Sequence, residues 1–83
     1  MLGEVVGTKR VDFTDDSGRR MAGYSVYVTH EEQDVIGMAA EKCRFLSDTT
    51  INNFLGGFIP SKGDLVNCEF NRRGQLEVKG PAS

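Results

Sequence analysis

The chain has no tryptophan, one histidine, two cysteines and two prolines. Each scarcity excludes something. Cys43 and Cys68 lie far apart, and with a single histidine they do not supply the clustered ligands of a zinc site, so no metal is expected. Both cysteines fall within alternating apolar segments and read as small buried hydrophobes rather than a disulfide, which a reducing compartment disfavours. No apolar run approaches the roughly 20 residues of a membrane span. Met1-Leu2-Gly3-Glu4 does not read as a secretory leader, so a cytoplasmic protein without membrane contact is expected. No G-x-G-x-x-G, P-loop or H-E-x-x-H pattern occurs, so neither an enzyme nor a cofactor is expected. His30, beside Glu31 and Glu32, reads as a solvated strand end, and Asp15-Asp16 as a turn. An excess of positive charge is missing too: 12 acids against 10 bases leave a net charge of −2. That counts against a strongly basic nucleic-acid binder, although the field over a groove depends on where charges sit.

What is present is a single domain, residues 1–83, dominated by two-residue alternation. A domain this small buries only about 60–65% of its unfolded surface, which a compact barrel or a homodimer would relieve. The alternation predicts a first strand over residues 4–14, with a bulge or bend near Gly7, then a turn at Asp15-Asp16-Ser17-Gly18. A second strand follows over residues 19–30, an acidic loop at Glu31–Asp34, and a third strand from Ile36 or Gly37 to Leu46. Ser47-Asp48 offers a cap for a short helix over Thr49–Leu55, ended by Gly56-Gly57. Leu65–Phe70 and Gln75–Lys79 form a last hairpin around Asn71-Arg72-Arg73-Gly74. The expected core is Val6, Val11, Phe13, Val26, Val28, Cys43, Phe45, Phe54, Val66, Cys68, Phe70, Leu76 and Val78. This order, three strands, a short helix and two strands, predicts an all-β, five-stranded Greek-key OB-fold barrel.

In that fold the loops after the first and fourth strands flank a ligand face built on strands two and three. Arg19, Arg20, Arg72 and Arg73 would then rim the face, and Lys42 and Arg44 would line its floor. Single-strand binding also needs rings on which bases stack. Tyr27, opposite Val26 and Val28 in the alternation, is the best candidate; Tyr24 shares the presumed core face but lies near the strand start. The candidate nucleic-acid-binding set is Arg19, Arg20, Tyr24, Tyr27, Lys42, Arg44, Arg72 and Arg73.

Two stretches, V-V-G-T-K-R-V-D-F-T-D-D-S-G-R-R-M-A-G-Y-S-V-Y-V-T and F-I-P-S-K-G-D-L-V-N-C-E-F-N-R-R-G-Q-L, carry a family resemblance. The motifs within them are G-x-K-x-V-D-F-T, G-Y-x-V-Y and F-N-R-x-G. The chain resembles short proteins of phages and mobile elements in Gram-positive bacteria, similar to the helix-destabilising single-stranded DNA-binding proteins of filamentous phages. The resemblance implies a small OB-fold homodimer that coats single-stranded DNA during replication. It implies a DNA track along Arg19, Arg20, Tyr24 or Tyr27, Arg72 and Arg73. The long dimer hairpin of the best-known members has no clear counterpart in the sequence. Two alternatives remain open at this point: a protein-interaction module using the acidic loop Glu31–Asp34, and an RNA-binding OB domain.

Overall fold

The computed structural model describes residues 1–82. Two long strands, β1 (Leu2–Thr14) and β2 (Arg20–His30), form its backbone. The turn between them is built by Asp15, whose Oδ1 accepts from the backbone N–H of Ser17 and Arg19 at 3.0 and 2.9 Å. Gly18 supplies the left-handed step (φ 84°) that the turn needs. Pairing runs from Thr14 opposite Arg20 back to Gly7 opposite Tyr27, then shifts so that Val5 faces Val28. Val6 is the extra residue of this bulge, where the sequence predicts an irregularity.

The helix and the remaining strands follow in chain order: β3 (Ala39–Lys42), β4 (Leu46–Ser47), α1 (Asp48–Phe54), β5 (Leu65–Phe70) and β6 (Leu76–Pro81). They make one antiparallel sheet of six strands in the order β3-β2-β1-β5-β6, with β4 also paired to β2. The expected third strand is therefore two pieces. Between them the chain leaves the regular ladder: the Cys43 N–H still bonds to Val26 C=O, but the Arg44 N–H turns away to Leu76 C=O at 2.7 Å. The helix begins where the sequence places its cap, with Ser47 Oγ accepting from the Thr50 N–H at 3.1 Å. It ends at Gly56 and Gly57, both left-handed, with the Gly57 N–H on Ile51 C=O. Among the described residues, no helix is long and apolar enough to cross a membrane.

The core comprises Val5, Val26, Val28, Cys43, Leu46, Ile51, Val66, Cys68, Leu76 and Val78, with Tyr24, Leu55 and Phe58 packed partly against it. Four expected core residues are exposed instead. Val6 is turned out by the bulge, which gives its inward place to Val5. Phe13 lies on the distal part of β1, beyond the stretch Leu2–Glu4 that β5 pairs, so no second layer covers it. Phe54 is 79% exposed because the seven-residue helix docks through Ile51 and Leu55. Phe70 ends β5 and shows one edge to solvent, its ring standing at 78° to that of His30. Val11 and Phe45 are half-buried. His30, expected in solvent, is buried; its Nδ1 lies 3.1 Å from Glu31 C=O and its Nε2 3.7 Å from the Glu41 carboxylate. The two cysteines are buried free thiols, and desolvation pushes Cys43 up to about 12.

Gly23 is the tightest point. A Cβ there would meet Leu46 O and stand 2.7 Å from Ser47 Cα and 2.8 Å from Phe45 Cζ, because β4 pairs with β2 at this point and brings its backbone close. Gly7 is different, since a Cβ there would find only Tyr27 Cδ2 at 3.9 Å, an ordinary contact. Gly23→Ala should therefore destabilise the protein by about 2–3 kcal/mol through overpacking against the β4 backbone and Phe45. Gly7→Ala should change stability by less than about 1 kcal/mol. Urea unfolding of both variants measures the contrast.

Candidate nucleic-acid interface

Register decides what shares a side on the β1–β2 ribbon, because residues directly opposite in an antiparallel pair point the same way. One side carries Arg10, Asp12 and Thr14 from β1 with Arg20, Ala22 and Tyr24 from β2. Here the charges are spent on each other. The Arg10 guanidinium grips the Asp48 carboxylate at the start of α1 with two hydrogen bonds, 2.7 and 2.9 Å, and lies 5.0 Å over the Tyr24 ring. Arg20 grips Asp12 in the same two-pronged way, at 3.0 and 2.7 Å. These hydrogen bonds hold Asp12 and Asp48 below the usual carboxylate range and raise both arginines. The pairs are solvent-exposed, so each stabilises the fold little. Their consequence is electrostatic: two of the ten cations are neutralised in place.

The opposite side carries Gly7, Lys9, Val11 and Phe13 with Tyr27, Ser25, Gly23 and Met21. Lys42 of β3 joins it by pairing with Tyr27, and its ammonium lies 6.0 Å from the Tyr27 ring centroid. Tyr27 and Phe13 are 38% and 52% exposed. No carboxylate stands among these positions; the stretch is bounded by Glu4, opposite Thr29 beyond the bulge, and by Asp15 at the turn. Lys9 and Lys42 have no ion-pair partner among the described residues. Arg19 starts the same side near the turn, where Asp15 is already engaged by backbone and by Ser17.

A second cationic group lies beyond Lys42. Arg44, Arg72 and Arg73 line a cleft of about 330 Å³ with Asn71, Gln75 and Glu77. Asn71 shapes the turn, its Oδ1 accepting from the Arg73 and Gln75 N–H groups at 2.9 and 3.0 Å. Its amide also donates to Glu77 at 2.9 Å. Glu77 in addition takes Lys79 at 3.1 Å and Arg44 at 3.2 Å. Arg72 and Arg73 have no ion-pair partner among the described residues.

The structure thus brings Tyr27, Lys42 and Arg19 onto one side of the sheet and gathers Arg44, Arg72 and Arg73 at one cleft. It sets Arg20 and Tyr24 on the other side of the ribbon, engaged with Asp12 and Arg10. Lys9, Phe13 and the half-buried Met21 join the Tyr27 side, which is covered at Ser25 and Gly23, although the sequence reading leaves Lys9 out of the set and assigns Phe13 to the core. The alternation of Lys9, Val11 and Phe13 against Arg10 and Asp12 was a usable signal for this. Among the described residues no three histidine, cysteine or acidic side chains gather as metal ligands.

The hydrogen bonds from Asn71 and Lys79, with Arg44 adding, hold Glu77 down at about 2 against an ordinary 4.5. A carboxylate whose folded value is depressed stabilises the fold above its unfolded value, and that contribution disappears as pH falls through the folded value. Glu77→Gln should therefore be less stable than the parent near neutral pH, and the difference should shrink between about 4.5 and about 2. Urea midpoints of both proteins across that range measure it. No known family model, curated protein or solved structure matches the chain.

Proposed function

We propose that this protein binds single-stranded DNA without sequence preference, coating it during phage or mobile-element replication. One observation carries the reading. The exposed ring of Tyr27 sits under the Lys42 ammonium on a stretch of sheet where Lys9 is unpaired and no carboxylate intrudes. An aromatic platform flanked by unneutralised cations is what an unpaired strand recognises: bases stack on the ring and phosphates meet the cations. The net charge of −2 is compatible with this, because Asp12 and Asp48 are paired with Arg20 and Arg10 on the other side and Glu4 lies beyond the bulge. Arg72 and Arg73 extend the cationic surface at the far hairpin, where paired guanidinium forks suit phosphate oxygens.

The strand order supports reading the sheet as a five-stranded Greek-key OB barrel, with β4 a two-residue adjunct. The Arg44 N–H to Leu76 C=O bond supports it further, since it draws the end of β3 towards β6. In such a barrel the hairpin bearing Arg72 and Arg73 and the face bearing Tyr27 and Lys42 flank one groove. The role is binding, with no catalytic step, inside the cytoplasm and on a homodimer of the chain.

Titration with oligo(dT), poly(U) and duplex DNA at two salt concentrations tests the reading. Tyr27→Ala should lose about 1–3 kcal/mol of oligo(dT) affinity. Lys9→Ala with Lys42→Ala should lower the salt slope by about 1.4, two phosphate contacts at about 0.7 each for a single strand. Arg72→Ala with Arg73→Ala should weaken binding and flatten the slope similarly. Arg20→Ala should bind like the parent, since Arg20 is held by Asp12. Parent protein that ignores oligo(dT) at low salt would overturn the proposal, and tighter binding of poly(U) would redirect it to RNA.

A further inference from the structure

The sheet face that carries Tyr27 changes character beyond the bulge. Glu4 faces Thr29 there and also pairs with Leu65, while Met38 leads into β3. Met1, Leu2, Gly3, Glu4, Thr29 and Glu31, with Met38 and Leu65, line a groove of about 480 Å³. Leu2, Met38 and Leu65 are each more than half exposed. The adjoining loop projects Ile36 fully into solvent, next to a half-exposed Val35. A run of large apolar side chains left open in this way marks a contact surface on a chain that could otherwise bury them. Its rim is acidic: Glu4 and Glu31 border the groove, and Glu32 and Asp34 lie in the same loop as Ile36.

This chemistry is the opposite of the Tyr27 side. Glu4 and Glu31 repel phosphates, and the Met1 ammonium that also lines the groove is held by Cys68 C=O at 2.7 Å, so a nucleic acid is disfavoured there. The charge selects a cationic occupant, and the exposed leucines and methionine select an apolar one. A second copy of the chain is a poorer fit. Its exposed Phe13 at the ribbon end adjoins the turn acids Asp15 and Asp16, which would meet Glu4 and Glu31 with like charge.

We propose that this groove docks an extended segment of a partner protein in which basic and apolar residues alternate. The apolar side chains enter between Leu2, Met38 and Leu65, and the basic ones meet Glu4 and Glu31. The site is separate from the nucleic-acid surface and does not depend on it.

The probe is a short synthetic peptide alternating lysine and leucine, followed by fluorescence anisotropy with the full chain. Two control peptides replace lysine by glutamate or leucine by serine. Two double variants, Met38→Asp/Leu65→Asp and Glu4→Gln/Glu31→Gln, alter exposed positions, and circular dichroism verifies that they fold. The lysine–leucine peptide should bind, and each control peptide and each double variant should weaken binding by about tenfold, or about 1.4 kcal/mol. Oligo(dT) binding by both variants should equal or exceed that of the parent. Equal binding of the lysine–serine peptide, or an unaffected Met38→Asp/Leu65→Asp variant, would overturn the proposal. So would a parent dimer in sedimentation that Leu65→Asp dissociates, which would assign the groove to a second copy.

Discussion

The antiparallel register of β1 and β2 is the constraint on which the rest of this molecule depends. The ribbon is long, and beyond the residues paired with β5 its β1 edge has no partner but β2, while β2 is held on its other edge by β3 and the short β4. A side-chain period of two means that a one-residue slip would exchange every residue between sides. The bulge at Val6 is what reconciles the two halves of β1. It lets Val5 enter the core against Val28 while Lys9, Val11 and Phe13 share the side of Tyr27. Gly23 fixes the same register from the other strand, because only a residue without a side chain fits against Leu46 and Ser47 where β4 pairs with β2.

Charge follows from register. With Arg10 and Asp12 on one side, their partners come from the same side: Tyr24 beneath Arg10, Arg20 beside Asp12, and Asp48 from the first turn of α1. Lys9 and Lys42, on the other side, meet no carboxylate until Glu4. A chain with more acids than bases can thus present a locally cationic surface, since field depends on placement. Past the bulge the same sheet face turns acidic and apolar, which divides it into two surfaces with opposite preferences.

Much of this was legible in the residues. The strands, the helix cap at Ser47, the Asp15 turn, the irregularity near Gly7 and the arginine-tipped hairpin all have local causes, and local signals carry them. The exterior placement of Tyr27 follows from its alternation with Val26 and Val28. What escaped depends on tertiary reach. Phe13 alternates as a core residue should, but whether a strand lies over it depends on where β5 ends its pairing. Phe54 has the spacing of a buried helix face, yet a helix of seven residues meets the core through only one row. Arg20 and Tyr24 look as available as Arg19 and Tyr27; only the register and Asp48, 38 residues from Arg10, show them occupied. The break between β3 and β4 arises from the Arg44 hydrogen bond to Leu76, again a distant partner.

The central claim is that the two sides of the ribbon have different fates, one closed by its own ion pairs and one open to a single strand. The chain has two tyrosines and no tryptophan, so each side carries its own fluorophore. Tyrosine emission during oligo(dT) titration should be quenched in Tyr24→Phe, which keeps only Tyr27, and should stay unchanged in Tyr27→Phe, which keeps only Tyr24. Quenching confined to the variant that retains Tyr24 would contradict the account.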